Sequence, residues 1–188
     1  VAQGFKMKIK STNIPDVKLI TPKVFEDERG YFFESFRDDI FKKEIDNINF
    51  IQENESKSSY GVLRGLHYQL PPFAQSKLVR VVKGKVLDVA VDIRKSSKYF
   101  GQFVAAELSE ENKLQMFIPQ GFAHAYIVLS DEAIFQYKVD NYYSPGHDRG
   151  IIYNDPDINI QWPIPEEELI ISGKDKKLPL LKNAELFK

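Results

Sequence analysis

Leu78-Val79-Arg80-Val81-Val82-Lys83-Gly84-Lys85-Val86-Leu87-Asp88-Val89-Ala90-Val91-Asp92-Ile93 is the stretch that decides the fold class. From Leu87 onward, Leu87, Val89, Val91 and Ile93 alternate with Asp88, Ala90 and Asp92, the period of two that marks a strand. The upstream run from Leu78 to Val82 is rich in β-branched residues, and Lys83-Gly84 falls where a tight turn would join the two runs as a hairpin. Working outward, Phe103 to Leu108, Leu114 to Ile118, His124 to Leu129 and Ala133 to Val139 read as further strands. Pro119-Gln120-Gly121, Ser130-Asp131-Glu132 and Ser144-Pro145-Gly146 supply turn chemistry between runs. Helical spacing is confined to Asp38–Asp46, through Ile40, Phe41 and Ile45, with Ser35 or Asp38 as cap, and to a turn or two near Glu166 to Leu169. Many short strands and few helices predict a mainly β fold, a double-sheet sandwich or barrel that leaves few strand edges open.

Composition bounds the rest. The chain has 188 residues, 43% of them hydrophobic, enough for a sizeable core, and no repeat or linker divides it, so residues 1–188 are expected to form a single domain. Val1 to Lys6 read as an appended leader ahead of a natural start at Met7. Twenty-six Lys and Arg balance 27 Asp and Glu, which argues against a nucleic-acid partner or attachment to a membrane surface, because neither large field exists. With no cysteine there is no disulfide scaffold, thiolate metal site or cysteine nucleophile, and a cytoplasmic location is expected. No apolar run approaches the roughly 18 residues of a membrane span, and no secretory signal is expected.

The chemistry-bearing residues are few. His67, His124 and His147 are the only histidines, and no two stand one residue apart on a strand face, so no metal is expected. Gly61-x-x-x-Gly65 lacks the Lys-Ser/Thr ending of a phosphate-cradling loop, and no serine elbow is present. Proton transfer remains. The densest polar-aromatic stretch runs from Gln52-Glu53-Asn54 through Arg64, His67 and Gln69 to Lys77. Two cations and an imidazole in an apolar neighbourhood are costly unless an anion or a reacting oxygen satisfies them. Arg64 and His67, three apart, would face opposite sides of a flat strand; a bulge or bend at Gly65 would bring both to one cavity. Taken singly, each of these residues reads more readily as an ordinary satisfied polar group than as a functional one.

Longer motifs add a resemblance. Gly61-Val62-Leu63-Arg64-Gly65-Leu66-His67-Tyr68-Gln69, then Lys77-Leu78-Val79-Arg80-Val81, is the most specific part. Asp27-Glu28-Arg29-Gly30 with Glu34, Asp88 to Arg94, Ile118-Pro119-Gln120-Gly121-Phe122-Ala123-His124, Tyr142-Tyr143-Ser144-Pro145, Trp162-Pro163 and Ser172-Gly173-Lys174-Asp175 follow in order. In their order and spacing they resemble the dTDP-4-dehydrorhamnose 3,5-epimerase family, cupin-type enzymes with a jelly-roll double sheet. The match extends from about Thr21 to about Pro179.

The resemblance implies inversion at C3 and C5 of a dTDP-4-keto-6-deoxy sugar, both carbons lying beside the ketone. It implies His67 as base, Asp175 as the carboxylate behind it, Tyr137 as proton donor on the other face and Lys77 at the developing enolate oxygen. Arg29, Glu34, Gln52, Asn54, Arg64, His124, Asp148 and Lys174 are implied to hold substrate, and Tyr143 to stack on the thymine. No cofactor is implied, and a homodimer is, with the Arg29 segment completing the neighbour's pocket. Local readings stand beside these roles: Ser172-x-x-Asp175 is also a turn cap, Tyr137 a core aromatic, Lys77 an exposed strand lysine. Two residues depart from the family pattern. Asp148 stands where a glutamate is usual, which puts that contact in doubt, and Ala125 follows His124 where glycine is usual, which is expected to narrow the room beside the ring.

Overall fold

Alternating apolar residues need a partner layer, and here they have two. The computed structural model describes residues 7–187, so the leader reading of Val1 to Lys6 lies outside the described residues. The strands are β1 (Lys8–Ser11), β2 (Lys18–Thr21), β3 (Phe25–Asp27), β4 (Gly30–Phe32), β5 (Gln52–Ser59), β6 (Leu63–Gln69), β7 (Lys77–Lys83), β8 (Lys85–Asp92), β9 (Phe103–Ser109), β10 (Gln115–Ile118), β11 (Phe122–Val128), β12 (Glu132–Val139) and β13 (Asp148–Gly150). One helix, α1 (Asp38–Glu44), precedes β5. A six-stranded sheet in the order β1-β2-β10-β7-β12-β5 faces a five-stranded sheet in the order β13-β6-β11-β8-β9, while β3 and β4 form a separate ribbon. These are the two facing sheets that the strand pattern predicted and the jelly-roll arrangement that the family resemblance implied.

The stretch that decided the fold class does so differently from the expectation. β7 and β8 do not pair; they belong to opposite sheets. Both edges of β7 are occupied, by β10 and β12, and both edges of β8, by β11 and β9. Gly84 is the sole residue between the two strands, too few for a two-residue hairpin turn, and it carries the chain from one layer to the other. Its positive φ of 76° favours glycine, and a Cβ there would strike the Glu132 carbonyl.

Neither row of β8 faces water. Val86 and Ala90 enter the core between the sheets with Val79, Met116 and Phe135. Val89, Val91 and Ile93 pack on the outer side against Ile151, Ile158, Ile160 and Leu181 of the C-terminal segment. Over the outer face of the six-stranded sheet, Phe41 of α1 covers Ile20, Leu78 and Phe117. The predicted cap of that helix is wrong. Arg37 is the N-cap and makes no side-chain capping bond, Asp38 is already helical and pairs with Lys42 one turn on, and the Ser35 carbonyl accepts a bond from Gln115. The turn near Glu166 exists as a short 3-10 segment, Glu166–Glu168.

Gly65 is the fold's main service to the site. The β6–β11 register slips between His124↔His67 and Tyr126↔Arg64, so one residue is gained on β6. Arg64 and His67 consequently line the same cavity, as a bend at Gly65 was expected to allow. The φ of Gly65 is 121°, and a Cβ would lie 2.5 Å from the His124 carbonyl oxygen and 2.7 Å from the Ala125 Cβ. Gly65→Ala is expected to destabilise the protein by at least about 1–3 kcal/mol. A urea midpoint unchanged from the parent would count against this account of the bulge.

Candidate active site

Between the sheets the apolar filling gives way to a cavity of about 520 Å³ lined by both layers and by the segment around Ser172. β6 supplies Arg64 and His67, β7 supplies Lys77, β11 supplies His124 and Tyr126, and β12 supplies Phe135 and Tyr137. Inward-facing residues two apart on neighbouring strands put these groups side by side.

His67 Nε2 lies 2.8 Å from Asp175 Oδ1 across a sequence separation of 108 residues. A carboxylate only accepts, so the ring proton sits on Nε2 and the Nδ1 lone pair is left free to take a proton. Asp175 is held by more than the imidazole: its Oδ2 accepts from the Gly65 N–H at 3.2 Å, and its own N–H is capped by Ser172 Oγ at 3.0 Å. Asp175 therefore both starts a capped turn and reaches the His67 ring. Burial works to raise its pKa, but the His67 and Gly65 hydrogen bonds outweigh burial and hold it below the usual range.

Across the cavity, burial pushes the Tyr137 hydroxyl up, which keeps it a phenol at neutral pH. Lys77 Nζ stands 5.8 Å from the Tyr137 ring centroid. Desolvation draws Lys77 down to about 8, against the pull of Asp88 and Asp148. His124 is buried, and its Nε2 lies 2.8 Å from Asp88 Oδ2. Burial lowers its pKa, with Asp88 opposing.

The remaining expected site residues divide into four groups. Asn54, Arg64 and Lys174 line the cavity. Gln52 and Tyr143 do not line it but connect to it: Gln52 donates to Asn54 and accepts from the Tyr143 N–H, and Tyr143 is 56% exposed. Asp148 stands behind Lys174, its Oδ2 2.6 Å from the ammonium. Arg29 and Glu34 line no part of this cavity: Arg29 is ion-paired with Asp27 on the β3–β4 ribbon, and Glu34 is near Arg37. The expected narrowing by Ala125 is corrected by strand alternation. Its methyl points to the outer cluster with Leu66 and Val89, away from the cavity that His124 faces. His147 belongs to a turn, bonded to Ser144 Oγ.

Sequence reasoning passed over Tyr126 and Asp88. Tyr126 stacks on Phe135 at 4.1 Å between centroids and bonds Ser56 through its hydroxyl. Asp88 is fully buried in a row otherwise apolar, and that row was its available signal. Among the described residues, no group of three or more His, Asp or Glu converges as a metal site.

The cavity joins an imidazole backed by a carboxylate, a phenol and a desolvated lysine, the kinds of group that an isomerase moving protons on and off carbon employs. The profile of the dTDP-4-dehydrorhamnose 3,5-epimerase family matches residues 11–183, and the chain belongs to that family. It is 55% identical over 170 residues to the dTDP-4-dehydrorhamnose 3,5-epimerase of Shigella flexneri, covering 90% of this chain and 93% of the relative. With the enzyme of that name from Salmonella typhimurium it shares 51% over 182 residues, covering 95% and 97%. The crystal structure of a dTDP-6-deoxy-D-glucose-3,5-epimerase from Legionella pneumophila, in complex with dTDP-4-keto-L-rhamnose, superposes with a TM-score of 0.94 at 45% identity, covering 97% and 98%.

Proposed function

We propose that this chain converts dTDP-4-dehydro-6-deoxy-D-glucose to dTDP-4-dehydro-L-rhamnose in dTDP-L-rhamnose synthesis, using only protein groups. The observation that carries this reading is the His67–Asp175 pair sharing one cavity with Tyr137 and Lys77. His67 Nδ1 takes the hydrogen from a carbon beside the C4 ketone as a proton. The bonding pair left behind forms the enolate, with its charge on the C4 oxygen beside the Lys77 ammonium. Tyr137 then delivers its hydroxyl proton to the opposite face and is reprotonated from solvent, while His67 releases its proton to solvent. The cycle runs once at each carbon.

Arg64 and Lys174 are the cations for the pyrophosphate, Gln52, Asn54 and His124 hold the nucleotide sugar, and Tyr143 stacks on the base. Asp148, engaged with Lys174, positions that cation rather than reaching the substrate as the family's longer glutamate would. Arg29 and Glu34 act in a homodimer. The β3–β4 ribbon carries Arg29 away from its own cavity and exposes Tyr31 and Phe32, which supports its insertion toward a second copy. The enzyme works in the cytoplasm, a reading supported by its lack of cysteine. No helix among the described residues is long and apolar enough to cross a membrane.

Incubation with the 4-keto dTDP sugar in D2O tests the assignment: deuterium is expected at both C3 and C5 of an inverted product. Label at one carbon only would make the chain a single-centre epimerase, and binding without exchange would make it a carbohydrate receptor. Tyr137→Phe separates the two half-reactions. Inversion should fall by about 100-fold or more, the scale of a lost general acid, while His67-driven exchange of substrate hydrogen persists. Equal loss of both would remove Tyr137 from the donor role.

A further inference from the structure

The β8 row that enters the core between the sheets reads Val86, Asp88, Ala90: a carboxylate where its neighbours on the same face are apolar. Asp88 is opposite Tyr126 and diagonal to His124 in the β8–β11 register. Its Oδ2 meets His124 Nε2 at 2.8 Å, and its Oδ1 is buried with no hydrogen-bond partner among the described residues. Two features make this arrangement more than a satisfied core pair. First, a carboxylate that accepts at Nε2 leaves the other ring nitrogen as the one with a free lone pair, and among the described residues nothing hydrogen-bonds His124 Nδ1. Second, Lys77 lines the same cavity with no carboxylate in contact among the described residues, and the Asp88 charge helps to offset this desolvated cation.

We propose that Asp88 is a positioning residue that fixes His124 in its Nε2–H tautomer, so that Nδ1 faces the cavity as a hydrogen-bond acceptor for a hydroxyl of the bound sugar. A neutral acceptor, not an imidazolium, suits this place. Burial, Lys77 and His67 all disfavour a second positive charge on the His124 ring. His124 and His67 thereby become two imidazoles in one cavity, each backed by its own aspartate and each presenting Nδ1. One takes a proton from carbon and the other takes a hydrogen bond from oxygen. The hydroxyl ligand rests on the epimerase reading; the tautomer does not.

With three histidines in the chain, nitrogen NMR of ¹⁵N-histidine-labelled protein resolves the tautomer of each ring. His124→Ala assigns the His124 signals by their disappearance. The parent is expected to hold His124 neutral and protonated on Nε2. In Asp88→Asn the amide N–H can donate to Nε2 and drive the proton to Nδ1, turning the cavity-facing acceptor into a donor. The tautomer should switch, and kcat/KM should fall by about 10- to 100-fold, the scale for loss of a partner behind a functional imidazole. In a His124→Ala background the same substitution should change kcat/KM by less than about threefold, because the effect travels through the ring.

A parent His124 protonated on Nδ1, an unchanged tautomer in Asp88→Asn, or an equal loss in both backgrounds overturns the proposal. The parent spectrum needs no variant at Asp88 and decides the central point even if Asp88→Asn does not fold. Failure of the parent to turn over the nucleotide sugar would remove the epimerase reading, while the spectra would still show whether Asp88 sets His124.

Discussion

His67→Ala is expected to lower kcat for epimerisation by about 10³- to 10⁴-fold, the upper part of the range for general acid–base catalysis, because the proposed mechanism uses one base at both carbons. Solvent-deuterium exchange should collapse with it, which separates this variant from Tyr137→Phe. Nothing structural should follow: the His67 side chain is 34% exposed, and the Asp175 carboxylate keeps its bond from the Gly65 N–H when the imidazole is removed. Asp175→Asn tests the same unit from behind. An asparagine amide can donate to Nε2, which would move the ring proton to the nitrogen that must act as base, so a loss of similar order is expected with the fold intact. The His67→Ala and Asp175→Ala losses should not add, since each breaks the same pair. A His67→Ala enzyme turning over at the parent rate in a stopped or continuous assay would end the base assignment.

What the sequence discloses of this machine follows from what local physics can carry. Strand existence was legible at Phe103 to Leu108, Leu114 to Ile118, His124 to Leu129 and Ala133 to Val139, because alternation is a property of a few consecutive residues. Pairing was not. A glycine turn after Lys83 looks the same whether the next strand folds back alongside or crosses to the facing layer, and only the occupied edges of β7 and β8 decide it. The bend at Gly65 was legible, since Arg64 and His67 made sense together only if the strand broke its own period there. The reach of Asp175 to His67 over 108 residues was available only through resemblance, and geometry now supplies it independently. Asp88 illustrates the opposite gap. In a run of Val, Leu, Ala and Ile its charge was visible, but whether it faced the interior depended on the second sheet. Arg29 and Glu34 mark a different limit: Arg29 lies in the turn between β3 and β4 and Glu34 in the segment after β4, and neither lines the cavity of its own chain.

A falling alkaline limb in kcat/KM, centred near pH 8, is the expected signature of Lys77 in the free enzyme. Desolvation holds its pKa at about 8, so the ammonium is fully present below that pH and is lost as pH rises through it. The ammonium is the form that stabilises an enolate; the amine does so poorly. The sign is therefore fixed: rate high below, low above. The phenol cannot imitate this limb, because burial pushes Tyr137 above its ordinary value near 10 and its ionisation comes later on the scale. Lys77→Ala is expected to cost about 100- to 1,000-fold in kcat, the scale for one electrostatic donor in a desolvated site, with a smaller effect on KM because the charge matters most once the enolate forms. It should also abolish the limb. Lys77→Arg keeps a cation that does not titrate in this range, so the limb should move out of it, with part of the rate lost to the larger, planar head group. A limb that persists at the same pH in Lys77→Arg belongs to another group, and the enolate contact would then have to be sought among the cavity's remaining donors.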